Sequence, residues 1–405
     1  MTGTRAGMDR RAFLGTLAGA CGLAAAGPGL LGLLTTCAQA AEARSPGRVV
    51  KEGLLVRSSR PLDLETPVAL LDADLTPTRH FFVRTHHDEP VLDTAAWRLQ
   101  VEGLVERPAA LSLAELRALP RHEVTAVLQC SGNGRAFYRP RVPGVPWERG
   151  AVGNARWAGA RLRDVLERAG LKAGAAHVVL QGADQPVLPT TPRFGRSVPL
   201  AKALHPDTLL AYEMNGEPLP VLHGHPVRVV VPGWVGDDWV KWVGLVRVQA
   251  EPFEGFFYRT AYRYPTRPVT PGEAVAPEAM APMDELLVKG LITAPLAGAR
   301  LPRAPVPIRG AAWTGGEAIV TGVEVSVDDG LSWLPARLLG EARPYAWRRF
   351  ALDWTPPAGH PGGLLRLRAR ATDSQGRTQP VEASPWNPSG YQWNTADVVE
   401  VHLHA

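Results

Sequence analysis

The 405-residue chain predicts an α+β protein in two parts, a mixed helix-and-strand domain followed by an all-β sandwich. Three observations predict it. The 38 Pro and 41 Gly demand many turns and argue against helix bundles. From Phe81 to about Val248 short β runs interleave with amphipathic helical stretches, whereas beyond residue 280 the helical period fades and strand-like runs follow one another. At 45% hydrophobic and 20% charged residues the chain can fill packed cores, which excludes general disorder.

The first forty residues read as an address. Asp9-Arg10-Arg11-Ala12-Phe13-Leu14 carries paired arginines, a Gly/Ala/Leu stretch runs to about Thr36, and Ala38-Gln39-Ala40 offers a cleavage site. That stretch is too rich in glycine, with Pro28 inside it, for a good membrane anchor. Leu34-Thr35-Thr36 before Cys37 makes a poor lipoprotein signal. The expectation is a twin-arginine signal over residues 1–40, a periplasmic mature protein, and no membrane attachment after cleavage. Such signals carry folded proteins, which suits one that receives a cofactor before export.

Residues 41–80 are expected to be irregular, being charged and interrupted by Pro46, Pro61 and Pro67. Within 81–255, Trp97 to Gly103 alternates as a strand, and Ser112 caps a helix running to Leu119. Glu123 to Gln129 is a strand that delivers Cys130 into the turn Ser131-Gly132-Asn133-Gly134. Arg161 to Ala169 is an amphipathic helix closed by Gly170, and His177 to Gln181 and Val227 to Val231 are strands. Residues 256–280, rich in proline and aromatics, read as a connector. Over 281–405, runs at 306–313, 317–327, 347–354, 364–372 and 398–404 are separated by turn clusters, the pattern of an immunoglobulin-like sandwich.

Forty-four Lys+Arg against 39 Asp+Glu leave a charge of +5, and the bases are spread rather than striped, so no nucleic-acid partner is expected. Of the three cysteines, Cys21 and Cys37 lie in the leader, so the mature chain keeps Cys130 alone. No disulfide framework and no covalent haem site can form. A thiol at a strand end, in a Gly-rich turn with Arg135 close by, is placed for ionisation and for a soft metal. Zinc-type spacings are missing, so such a metal would draw its remaining ligands from a cofactor. Ser131 and His86 offer a nucleophile and a base, but no nucleophile elbow surrounds the serine.

Leu128-Gln129-Cys130-Ser131-Gly132-Asn133-Gly134-Arg135 and Asn154-Ala155-Arg156-Trp157-Ala158-Gly159-Ala160-Arg161-Leu162 resemble the sulfite oxidase family of molybdenum enzymes. So do Leu210 to Pro220, His223-Gly224 and Pro226 to Gly233. The resemblance runs from about Phe81 to the C-terminus. It implies a sulfite-oxidase-type molybdopterin-binding domain, then a dimerisation domain, and so a homodimer. By the same resemblance Cys130 would be the thiolate ligand to molybdenum, in a molybdenum-molybdopterin cofactor. Phe82, Val83, Arg84, Thr85 and His86 match a pterin-contacting stretch, although the eukaryotic enzymes have Asn where Thr85 stands. Asp184, His223, Arg228 and Trp239-Val240-Lys241 match further cofactor positions, with Arg228, Lys241 and His223 suited to the pterin phosphate.

Arg84, Arg135, Trp147 and Tyr262 match the substrate pocket. Tyr258 and Tyr264 compete for the tyrosine position. Sulfite would be neutralised and oriented by the two arginines, walled from water by Trp147, and assisted by the tyrosine hydroxyl. The pattern departs at Ser389, where eukaryotic members carry a pocket arginine. No haem domain is read before residue 80, so electrons are expected to pass to a separate soluble c-type cytochrome. Within the family the chain is most like bacterial periplasmic sulfite dehydrogenases. A sulfane dehydrogenase subunit of a thiosulfate-oxidising complex is the alternative, and a non-catalytic anion-binding protein of the same fold is a third reading.

Overall fold

The structure is a computed structural model that describes residues 50–186 and 188–404. The twin-arginine leader expected over residues 1–40, and the segment up to residue 49, lie outside the described residues. Two five-stranded sheets build the first part. In one, Arg121–Gln129 pairs with Val152–Arg161, which pairs with Leu209–Met214; that strand also carries Glu217–Pro218 and Arg228–Val230. In the other, Leu99–Gly103 lies parallel to Val243–Gln249, and the order continues through His177–Gly182 to Gly195–Pro199. Strands such as Val152–Arg161 are buried almost throughout, so a near-continuous small and apolar run serves where alternation would serve a half-exposed sheet.

The helices cover these sheets. Ser112 closes a reciprocal capping box with Glu115 at the start of Leu113–Arg117, a shorter helix than the pattern to Leu119 suggests. Leu162–Ala169 buries Leu162, Val165, Leu166 and Ala169, spaced along one face, and ends at Gly170 with φ 71°.

Beyond residue 285 two sheets face each other. Lys289–Ala294, Val306–Trp313, Arg348–Trp354 and Arg337–Leu338 form one; Arg300–Leu301, Val399–Leu403, Gly363–Asp373, Val320–Ser326 and Leu334–Pro335 form the other. Alternate residues Val306 and Ile308, Leu365 and Leu367, and Val399 and Val401 point into a shared core.

Two expectations need correction. Residues 41–80 are not irregular over their described part: Leu55–Ser59 and Leu62–Glu65 form a hairpin whose second strand pairs with Val83–Arg84. Pro61 sits in the turn, where a missing N–H costs the ladder nothing, so one of the prolines that suggested irregular chain is the hairpin's corner. Nor are residues 256–280 only a connector. They hold the helical turn Phe256–Arg259 and the strand Arg263–Pro265, and Tyr262 between them is buried.

Candidate active site

Cys130 stands where the strand Arg121–Gln129 ends. Its amide bonds to the carbonyl of Ala151 at 2.9 Å, and its carbonyl accepts from Asn133 N at 2.9 Å, so the loop is set from both sides. The Ser131 hydroxyl donates to the buried carboxylate of Asp237. Gln392 N donates to the Ser131 carbonyl at 3.0 Å, which ties the loop to the C-terminal segment.

The thiol lies between two cavities. The inner chamber, of about 650 Å³, is lined by Phe82, Val83, Arg84, His86, Cys130, Asp184, Phe194, His223, Arg228, Asp237, Trp239, Lys241 and Tyr262, among others. The outer pocket, of about 730 Å³, shares Arg84, Cys130 and Tyr262 with it and adds Arg135, Val145, Ser389 and Tyr391. Exposed Pro143 and Gly144 form its rim, so it opens at the surface. Burial pushes the Cys130 thiol up, against the pull of Arg84 and Arg135. The turn alone therefore does not ionise it, contrary to what its sequence neighbourhood suggests; a bound metal cation would.

The inner chamber holds two buried cations, Arg228 and Lys241, with neither in a salt bridge among the described residues. Arg228 is buried beside the rings of Trp157 and Trp239, at 5.0 and 5.8 Å, and donates only to the carbonyls of His223 and Trp239. Its Nε has no partner among the described residues. Burial pulls Arg228 down to about 9. Lys241 donates to the Leu222 carbonyl at 3.1 Å and lies 4.0 Å from the Trp242 ring; burial, then Arg228, hold it well below the ordinary lysine range. Asp184 opposes this from the same chamber, its own value raised by burial. Two buried cations whose hydrogen bonds go to neutral carbonyls, with Asp184 as the chamber's nearby carboxylate, are stabilised by an added anion. A phosphate-bearing pterin fits that requirement, with Arg228, Lys241 and His223 as its donors.

The outer pocket presents two guanidinium groups. Arg84 pairs with Asp63 of the N-terminal hairpin at 3.2 Å. Burial works to lower its value, but Tyr262, Asp63 and Cys130 outweigh that and hold it raised. Arg135 is 9% exposed and spends Nε on the Ser389 carbonyl, at 3.0 Å, and one Nη on the Val145 carbonyl, at 3.1 Å. Its guanidinium lies 5.0 Å from the Tyr391 ring centre. Three glycines make room for it. A Cβ at Gly132 would stand 2.7 Å from its Cζ, one at Gly144 2.9 Å from Nη1, and one at Gly390 2.8 Å from Cγ. Such a socket fixes a guanidinium without neutralising it.

Among the three tyrosines, Tyr262 is the one that lines both cavities. It adopts φ 55°, which turns it inward, stacks on Tyr391 and hydrogen-bonds His86 Nε2. Burial raises it, and burial with Arg84 and Lys241 holds His86 well below its ordinary range, so this imidazole is neutral. Tyr258 lies over Arg196, and Tyr264 lines a separate groove with Trp386.

Three expected site residues stand off the cavities. Val240 is packed in the core and meets Val229 through its carbonyl. Thr85 donates to the Leu62 carbonyl. Trp147 packs edge-on against Phe82 rather than walling the pocket itself, and its Nε1 has no partner among the described residues. Sequence reasoning missed Lys51, Asp63 and Asp237. The adjacent acids Asp237 and Asp238 inside an apolar run were a legible signal, since buried carboxylates need partners; Arg196 serves both, at 3.1 and 2.7 Å.

Among the described residues no cluster of three or more His, Cys, Asp or Glu side chains could hold a metal, and no helix is long and apolar enough to cross a membrane. Residues 86–257 match the family model for the oxidoreductase molybdopterin binding domain, and residues 281–403 that for the Mo-co oxidoreductase dimerisation domain. Fold and site together define a molybdopterin-dependent oxidoreductase. The chain is 42% identical over 363 residues to human mitochondrial sulfite oxidase, covering 86% of this chain and 66% of that protein. It is 33% identical to the sulfite oxidase of Arabidopsis thaliana, covering 83% of this chain and 91% of that one. The crystal structure of the sulfane dehydrogenase SoxCD from Paracoccus pantotrophus superposes with a TM-score of 0.73 at 30% identity, covering 87% of each chain. The chain belongs to the sulfite oxidase family. It spans just under two thirds of the length of the human relative.

Proposed function

We propose that this protein oxidises sulfite to sulfate in the periplasm, as a homodimer joined through residues 281–405, and passes the electrons to a separate c-type cytochrome. The observation that carries the reading is the position of Cys130, at the boundary between an anion-hungry chamber and an open pocket with two guanidinium groups. When bound, the molybdenum-molybdopterin cofactor supplies oxygen-atom transfer and takes up the electrons. Arg228, Lys241 and His223 hold its anionic end, and Cys130 provides the thiolate. Arg84 and Arg135 would bind the sulfite oxygens and leave its sulfur lone pair free for the oxygen transfer that the cofactor supplies. Tyr262, bonded to neutral His86, holds a proton beside the reacting anion.

An anaerobic sulfite titration of the loaded protein, followed by its visible thiolate-to-metal absorption, tests this reading. Bleaching at about one sulfite per chain is expected. A second reading is oxidation of a protein-bound sulfane. It is favoured by the likeness to the sulfane dehydrogenase and by Ser389 at the pocket wall, where an arginine would have narrowed access and added charge. A band indifferent to sulfite but bleached by a persulfide-bearing carrier would select it. Loaded protein whose band responds to neither would leave an anion-binding role.

A further inference from the structure

At His223, a residue of the inner chamber's lining, the N-terminal segment delivers one lysine. Lys51 Nζ lies 2.6 Å from the Thr78 carbonyl, 2.9 Å from the Phe81 carbonyl and 2.6 Å from His223 Nε2. His223 lines the chamber with Arg228 and Lys241, is 2% exposed, and packs its ring edge-on against Phe81 at 5.4 Å. Nε2 is engaged by Lys51, and the ring also lies in reach of the Thr78 backbone.

We propose that Lys51 is a positioning residue that sets the tautomer of His223: its ammonium donates to Nε2, the ring proton resides on Nδ1, and His223 thereby presents a donor to the anionic end of the cofactor. The proposal rests on the cofactor reading above for the identity of that anion. An ammonium has three N–H groups, and three acceptors surround this one. The protonation of one imidazole nitrogen is governed by the bond its other nitrogen makes. The rival arrangement puts the proton on Nε2, donating to the Thr78 carbonyl or to a neutral amine, and leaves Nδ1 a lone pair. That arrangement would repel a phosphate. Burial, then Lys51, Arg228 and Lys241, lower His223 far below its ordinary range, against a bond to the Thr78 backbone that raises it, and burial brings Lys51 to about 7. The proton is placed on the amine by the three acceptors that surround it.

The test is made on the full mature protein, with and without cofactor. Nitrogen-15 chemical shifts of the His223 ring, assigned by loss of the signal in His223→Gln, read the tautomer directly. The Nδ1–H form is expected in the wild type, with a shift toward Nε2–H or a mixture in Lys51→Met and recovery in Lys51→Arg. An Nε2–H tautomer in the cofactor-free wild type would overturn the assignment, whatever the cofactor is. In loaded protein, release of the fluorescent pterin during dilution should be at least tenfold faster for Lys51→Met than for the wild type. Equal release rates would overturn the link to the cofactor. Wild-type protein that retains no molybdopterin would overturn the cofactor reading and leave the tautomer result standing.

Discussion

Arg84 Nη1 stands 3.2 Å from Oδ1 of Asp63, a carboxylate 1% exposed that also accepts from the Thr85 amide. Asp63 lies on a strand paired with the one that carries Arg84, so the hairpin orients a guanidinium at the mouth of the site. Arg84→Gln should raise the sulfite KM more than tenfold by removing a charge-assisted contact. It should also lower stability by about 3 kcal/mol, because Asp63 is left buried and unpaired. Adding Asp63→Asn should recover most of the melting temperature and none of the KM. Recovery of both would move Arg84 out of the substrate pocket.

Gly132→Ala tests the socket around Arg135. A Cβ there would stand 2.7 Å from the guanidinium carbon, and the flexible arginine must give way. Sulfite KM is expected to rise roughly 10- to 100-fold, the cost of displacing a binding group by about 1 Å. Molybdenum and pterin content should stay at wild-type levels, and loss of either would assign the glycine to the cofactor instead.

Cys130→Ser should abolish sulfite oxidation and the visible band. Its melting temperature should stay within about 4 °C of the wild type, since hydroxyl replaces thiol in nearly the same volume. Activity at or near the wild-type level would end the metal-ligand assignment.

The buried cations predict a pH signature. Lys51 is brought to about 7 from an ordinary 10.5, and Arg228 to about 9 from 12.5, in both cases by burial. A cation with a lower value folded than unfolded makes the folded state bind fewer protons, so stability rises with pH between the two values. Cofactor-free protein should therefore gain melting temperature from about pH 7 toward 10. An anionic cofactor would recharge the chamber, and the slope of the loaded protein should be smaller. Parallel slopes would mean that no anion meets these cations.

Export is tested at the leader. Replacing Arg10 and Arg11 by Lys should leave the full-length protein in the cytoplasm with its cofactor, by fractionation and immunoblot. Undiminished periplasmic protein would rule out the twin-arginine route.

The strand-to-turn passage at Cys130, the helix over residues 162–169, and all five long runs of the sandwich were legible because each is a local pattern: period, cap or turn. The hairpin at residues 55–65 was not, because its strands are short and their partner strand begins at Val83. Lys51 and Asp63 carry no motif, and their meaning lies wholly in what they touch.

By itself the sequence determined most elements of the two domains, the thiol at the end of a strand and the family, since these depend on residue types and spacings along the chain. Only the tertiary structure decided which tyrosine faces the thiol, that Trp147 packs behind Phe82, and that Lys51 reaches His223 across 172 positions. It decided, too, that burial pushes the free thiol up, against Arg84 and Arg135. Charge and proton state depend on desolvation and on neighbours brought together by folding, and no local pattern encodes either.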